Sequence, residues 1–444
     1  MASTYLTRTT GTASLNTKMT FSTWIKRSSI SSSVAFFSFS TDGSNELYFR
    51  FQDNDALQVF SQKSGSTIIV RKTNRVFRDV SAWYHLVLQI DTTQVTASNR
   101  IKIYVNGVQE TSFSAETNPN QNETINYVSN ATFEIGRKTT SSNLYMDGSM
   151  SHIHFIDGIA YDATAFGEYD ANGVWKIKTS PSVTYGTNGF FILKDGNSVT
   201  DQSGNSNNFT LGGGTLTKTE DNPSNVFATL NSLNSWGTNV LSNGNLTITS
   251  TSADAAHTQS TMHMNKGKWY MEFNIDAHTA GNSAPMFILA GTGAYQQQQI
   301  GFSTSGDGAY GIGSNGRSIT DGAESGSVVF TELVNNDKVQ IAFDADTGKV
   351  WFGINGTYLG SGNPSTGANP YFTTTKLQNN DVSLTILGYG TQGKASCNFG
   401  NGYFGTTAIT TNSGNGYSGA EGSSKFNYTV PTGYSALSTK GLNE

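Results

Sequence analysis

An apolar period of two runs through most of this chain and constrains its fold more than any other feature. In Glu46–Gln52 (E-L-Y-F-R-F-Q), Leu47, Phe49 and Phe51 share one face of an extended segment. Tyr84, Leu86, Leu88 and Ile90 alternate in the same way, as do Ile101, Ile103 and Val105. Later come Trp269, Met271, Phe273 and Ile275, then Val339, Ile341 and Phe343, then Val350, Phe352 and Ile354, then Val382, Leu384 and Ile386. Turn signals separate these runs: Asn106-Gly107, Asp346-Thr347-Gly348, Asn355-Gly356 and Asn401-Gly402. Asn-Gly between alternating strands predicts a type I′ hairpin, because both central residues need positive φ. No long amphipathic helical pattern competes. The expected fold class is all-β: two antiparallel β-sandwich domains in tandem, each sheet burying one face.

Composition narrows the class further. Charged residues make up only 13% of the 444, about half the usual share of a soluble domain. Ser, Thr, Asn, Gln and Gly take their place, so the exterior is neutral and polar. With 36% hydrophobic and 11% aromatic residues the chain is no disordered polyelectrolyte. Seven prolines exclude a collagen, and the lone Cys397 excludes a disulfide framework. The net charge of −5 provides no footprint for nucleic acid. The N-terminal Met-Ala-Ser-Thr-Tyr-Leu-Thr-Arg lacks the pattern of a secretory leader, and no apolar run reaches the length of a membrane span. Neither export nor membrane insertion is expected.

Alternation lapses in the polar stretch Asp201–Gly214 and again through Thr217–Trp236. The expected division is a first sandwich with its polar connector over 1–232, a second over 233–406, and a Gly/Ser/Thr-rich tail over 407–444. The tail has a flexible composition over Ala408–Ser424 and regains aromatics in Phe426–Ala436, a segment expected to dock. One internal echo links the two sandwiches. Leu86–Asp91 and Val339–Asp344 share a pattern, and each is followed by a strand ending in Asn-Gly, Ile101–Gly107 and Val350–Gly356.

Four segments carry a resemblance over the first ~215 residues: Met19–Lys26, Trp83–Ile90, Ile101–Gly107 and Met146–Gly158. They resemble a laminin-G-like member of the concanavalin A-like lectin/glucanase superfamily. Asp201–Thr210 looks like the opening segment of such domains yet comes late, so it either closes the sandwich or belongs to the connector. Residues 236–404 resemble a SPRY domain through Gly267–Phe273 and Val339–Gly360. The pairing, with a closing Tyr-x-x-Pro-Thr-Gly-Tyr segment (Tyr428–Tyr434), is similar to virion proteins of tailed phages of marine bacteria. The resemblance implies a virion protein assembled in the host cytoplasm, with other virion proteins and host surface glycans as partners. It also suggests a homo-oligomer, for which a trimer is one form.

Candidate chemistry is sparse. Glucanases of the superfamily present alternate carboxylates on one strand, since two must flank the scissile bond. The nearest match, Glu272-Phe-Asn-Ile-Asp276, has other spacing and no third acid. No catalytic residue is therefore assigned. His152 and His154 would put two imidazoles on one strand face, a weak metal candidate. Laminin-G relatives often bind calcium through rim carboxylates, which singles out Asp42, Asp53, Asp55 and Asp147; no cofactor is otherwise expected. SPRY resemblance points to loop residues as partner contacts: Tyr295, Gln297, Gln298, Asn315 and Arg317. Trp175 and Trp236, outside regular alternation, would either stack on a sugar or seal a domain interface. The expected function is a non-enzymatic virion structural protein: a capsid decoration, appendage knob or tail-fibre component that adheres to host glycans. The alternatives are a glycan-cleaving depolymerase and a cellular lectin-like or scaffold protein.

Overall fold

A computed structural model describes residues 3–14, 17–125, 130–141, 143–194, 196–251, 255–282, 284–291, 308–389, 393–409 and 418–443. The chain divides into two compact units, Met1–Lys218 and Thr219–Glu444. Both are β-sandwiches, and the only helices among the described residues are short 3-10 turns. None is long and apolar enough to cross a membrane.

In the first unit an eight-stranded sheet packs on a six-stranded one. The larger runs, in spatial order, Phe113–Thr117, Ser66–Val76, Ala56–Lys63, Asn45–Phe51, Val34–Asp42, Thr132–Ile135, Tyr5–Thr9 and Thr210–Gly213. The smaller runs Phe190–Ile192, Gly148–Asp157, Lys18–Arg27, Trp83–Asp91, Ile101–Val105 and Val108–Gln109. The alternating residues meet between the sheets: Leu47, Phe49 and Phe51 from one, and Phe21, Leu86, Leu88, Ile90, Ile101 and Ile103 from the other. Phe21 stacks on Phe37 at 3.9 Å between ring centroids. The Asn106-Gly107 turn has φ of 48° and 83°, and Val105 lies opposite Val108, as a two-residue I′ hairpin requires.

In the second unit a seven-stranded sheet runs Leu230–Trp236, Ala256–Met264, Val382–Gly388, Met286–Ala290, Ala309–Gly313, Ser318–Thr320 and Ala323–Glu324. Its nine-stranded partner has a main path of Asn239–Ser242, Thr247–Ser250, Lys394–Asn398, Lys268–Ala277, Lys338–Asp344, Lys349–Ile354 and Thr357–Tyr358. The internal echo extends to topology. Lys18–Arg27, Trp83–Asp91 and the Asn-Gly hairpin are adjacent in that order in the first unit. Lys268–Ala277, Lys338–Asp344 and the Asn355-Gly356 hairpin repeat the order in the second.

Two boundaries differ from the sequence expectation. The units part after Lys218, not near 232. Asp201–Thr210 does close the first sandwich: Phe209 enters its core and Leu211 pairs with Leu6. Residues 219–232 belong to the second unit, because Phe227 is buried there and the Ala228 amide donates to the Leu437 carbonyl at 2.9 Å. The described part of the 407–444 segment is not a free tail. Ser435–Ala436 pairs in parallel with Trp269–Tyr270, and Phe426, Tyr434 and Leu437 are fully buried. Residues 410–417 lie outside the described set.

Candidate functional site

The inward faces of all four sheets form the cores, so chemistry has to reside on their outer faces and rims. In the first unit the outer face of the six-stranded sheet carries Ser22, Trp24, His85 and His154. The hairpin Gly167–Ile177 covers it. Trp175 is the anchor. Its indole N–H donates to His85 Nδ1 at 3.0 Å, while His85 Nε2 lies 2.9 Å from Ser22 Oγ. This sets the tautomer: Nδ1 accepts, so Nε2 carries the proton. Burial pushes the His85 pKa down to about 3, leaving the ring neutral. Trp24 stacks on the imidazole with ring centroids 4.9 Å apart. A Cβ at Gly107 or at Gly167 would come within 2.5 Å of the Trp175 ring, so only glycine lets the indole lie this close to both backbones. Trp175 thus seals its own hairpin onto its own sheet. Trp175→Ala is expected to cost about 3 kcal/mol. In an NMR titration the same variant should bring the His85 pKa back toward the ordinary histidine range as water reaches the ring. An unchanged His85 would show that the hairpin stays shut without its indole.

In the second unit the outer face of the nine-stranded sheet is covered by the chain's last segment. Phe227, Tyr270, Trp351, Phe426 and Tyr434 pack there, and the Trp351 indole N–H donates to the Ala368 carbonyl at 2.8 Å. Beneath this layer Glu272 is fully buried. Its carboxylate accepts from the amides of Asn427 at 2.7 Å and Tyr428 at 2.8 Å, and from the Tyr270 hydroxyl at 2.9 Å; Asn398 Nδ2 is at 3.4 Å. Burial pushes its pKa up to about 7, although the four donors pull the other way. Asp276 accepts from Asn274 Nδ2 at 2.5 Å and Ser396 Oγ at 2.6 Å. The acid pair singled out by glucanase analogy is therefore bonded to the protein itself. Glu272 holds the C-terminal segment.

That segment leaves a cleft of about 400 Å³ against the Asn355-Gly356 hairpin and the loop after it, with Tyr358, Asn363, Tyr428 and Thr432 on its walls. Sequence reasoning did not find these four. The available signal was the Pro-Thr-Gly turn at Pro431, read as a docking segment without its counterpart.

Among the described residues of the second unit, Trp236 does not meet Asn315 and Arg317: they lie at opposite ends of the seven-stranded sheet. Tyr295, Gln297 and Gln298 lie outside the described residues. Asn315 is buried and its Nδ2 donates to Glu324 Oε1 at 3.0 Å, while Arg317 Nη1 meets Glu324 Oε2 at 3.2 Å. These groups were expected to face a partner but bind their own hairpin. Trp236 is 44% exposed on an edge strand, opposite His257. His152 and His154 do not alternate on a regular strand. A bulge between Ser151 and His154 puts His152 at φ 47°, and both rings flank Phe191. His154 is held well below its usual pKa by burial, and its Nδ1 lies 3.0 Å from the Tyr185 hydroxyl. Among the described residues no three His, Cys, Asp or Glu side chains are placed to hold a metal.

Two of the calcium candidates, Asp42 and Asp55, are already bonded within the protein. Asp55 is buried against the Arg27 and Arg78 guanidinia, each at 3.0 Å. Asp42 turns both oxygens onto its own turn, toward the Ser44 amide and Asn45 Nδ2. Asp147 has its pKa raised by desolvation. Asp53 is an exposed residue in the turn before Asp55.

Residues 2–160 match the Laminin_G_3 family of the concanavalin A-like lectin/glucanases superfamily. These residues are thus similar to a concanavalin A-like domain, and the β-sandwich of the first unit continues past them to Lys218. Similar solved structures include the SPRY domain of human HERC1, at 13% identity over 38% of this chain and 96% of that one, with a TM-score of 0.29. A heptameric SAP-like pentraxin from Limulus polyphemus is similar at 16% identity over 36% of this chain and 71% of that one, with a TM-score of 0.28. Domain 4 of AbnA, a GH43 extracellular arabinanase from Geobacillus stearothermophilus solved in complex with arabinotriose, is similar at 17% identity. It covers 33% of this chain and 63% of that one, with a TM-score of 0.25. No curated protein matches the sequence.

Proposed function

We propose that this chain is a non-enzymatic structural protein of a phage virion, a capsid decoration, appendage knob or tail-fibre component that contacts neutral glycans on the host surface. The observation that carries the non-enzymatic part is the position of Glu272. A general acid or nucleophile must reach the glycosidic bond, whereas this carboxylate is buried and bonded to two backbone amides of its own chain. The virion part rests on the resemblance of the domain pairing and of the Tyr428–Tyr434 motif. That motif forms an integral part of the second sandwich, with Tyr434 fully buried. The low charge supports contact with neutral surfaces, since amides and hydroxyls can hydrogen-bond without a counter-ion.

Cryo-EM of intact particles is expected to locate the chain on the capsid, tail or an appendage, beside other virion proteins and as a homo-oligomer. Purified virions lacking the chain would end that reading. Incubation with host polysaccharide is expected to release no reducing sugar. Release by the wild type that disappears in Glu272→Gln would replace the proposal with a depolymerase.

A further inference from the structure

The cleft on the second unit has a chemistry of its own. Twelve of the described residues line it, and none of these carries a charge. An ion entering it would lose hydration without meeting a counter-charge, which selects for neutral ligands. Tyr358 and Tyr428 offer ring surfaces, and Val430, Pro364 and Pro431 extend the apolar area. Gln340, Asn363, Ser365, Thr429 and Thr432 place amide and hydroxyl groups among them. A pyranose presents the complement, an apolar C–H face edged by hydroxyls, and sites of this kind combine aromatic walls with a few polar groups.

The walls are also held in place before any ligand arrives. Glu272 fixes the amides of Asn427 and Tyr428 at one end. At the other, the Thr432 amide donates to Ser365 Oγ at 3.0 Å, joining the C-terminal segment to the facing loop. Gly356 lies under the Tyr428 ring, where a Cβ would come within 3.0 Å of Cε1. Tied walls reduce the ordering cost of binding.

We propose that this cleft binds one neutral pyranose unit of a polysaccharide, stacked on Tyr428 with Asn363 at the rim. The proposal rests on the glycan-recognition reading above and assigns it a place and a ligand class. The test is calorimetric titration of the full chain with gluco-, manno- and galacto-oligosaccharides, with oligogalacturonate and a sulfated galactan oligosaccharide as charged probes. At least one neutral probe is expected to bind. Tyr428→Ala should weaken it about tenfold, and Tyr428→Phe should stay within about threefold of wild type. Asn363→Ala, at an exposed loop position where Oδ1 accepts from the Thr366 amide at 3.2 Å, should weaken it about threefold while costing at most about 1 kcal/mol of stability.

Neutral binding that survives both alanine variants would overturn the cleft but leave glycan recognition standing. Tighter binding of the charged probes would overturn the ligand class. Tyr428-dependent binding of a proline-rich peptide without sugar binding would make the cleft a peptide groove. Absence of binding by any neutral probe would remove both the cleft proposal and the glycan reading.

Discussion

Asp55→Ala is expected to destabilise the first unit by about 3–5 kcal/mol, because it strands a guanidinium inside the protein. Arg27 is buried, stacks over Phe51 at 4.5 Å and also donates to the Phe77 carbonyl. Its charge is matched by Asp55 Oδ1 at 3.0 Å, and the same carboxylate accepts from the Ser31 amide at 2.8 Å and from Arg78. Burial alone would raise the Asp55 pKa; the Ser31 amide and the two guanidinia outweigh it and hold the group below its ordinary value. A depressed carboxyl contributes stability that is present above its unfolded pKa and is lost as pH falls through the folded one. The loss therefore falls in the acid range, below about pH 4.

Asp55 also sits at φ 66°, which alanine tolerates poorly and asparagine well. Asp55→Asn keeps the backbone conformation, removes the charge and turns an N–H₂ toward either the Arg27 and Ser31 donors or Arg78, so urea unfolding of the two variants separates the backbone contribution from that of the carboxylate. A loss below about 1 kcal/mol for Asp55→Asn would show that the ion pair does not anchor this region.

The second large effect is a pH dependence centred on Glu272. Its folded pKa, near 7, lies above the ordinary glutamate value of 4.5. Between those values the folded state holds a proton that the unfolded state has released. Stability from this group is therefore greatest below about pH 4.5, falls as pH rises, and is fully lost above about pH 7, a span of about 3 kcal/mol. His257 in the same unit works the other way. Burial lowers its pKa to about 4, so acidification below the ordinary histidine range favours the unfolded chain.

Glu272→Gln isolates the glutamate. The difference in urea stability between wild type and this variant should favour the wild type by about 3 kcal/mol more at pH 4.5 than at pH 8.5. The variant also carries a fixed penalty of about 1–3 kcal/mol, because either orientation of the amide points its N–H₂ at a backbone N–H. A pH-independent difference would show that the carboxylate stays ionised and that its four donors prevail over burial.

Much of the fold was legible in the sequence for a local reason. In a strand the side-chain period is two, so each run names its own buried face wherever it pairs. Leu47, Phe49 and Phe51 and the Trp269–Ile275 set enter the cores as the pattern required. The Asn106-Gly107 and Asn355-Gly356 turns were legible because positive φ is a property of single residues, whereas Asn401-Gly402 is no type I′ turn: only Gly402 has positive φ, and Asn401 bridges Lys425. The domain boundary was not. Thr217–Trp236 has weak periodicity, and its allegiance rests on Phe227 meeting the chain's last residues, a contact between segments about 200 positions apart.

The candidate site was less legible still. The Glu272–Asp276 spacing showed that two acids share a strand face, but not that the amides of Asn427 and Tyr428 would occupy one of them. His152-Ile-His154 looked regular until a bulge turned His152 out of register. Trp175 carried no periodic signal, and its indole bond to His85 spans 90 positions.

The sequence by itself determined the all-β class, the buried face of most strands, the turn chemistry and a neutral exterior, because each depends on neighbours a few residues away. Tertiary structure alone decided that Glu272 is a latch, that Trp175 seals a hairpin and that an uncharged cleft opens beside Tyr428. Those outcomes depend on shape and hydrogen-bond complementarity between distant segments, which no local period encodes.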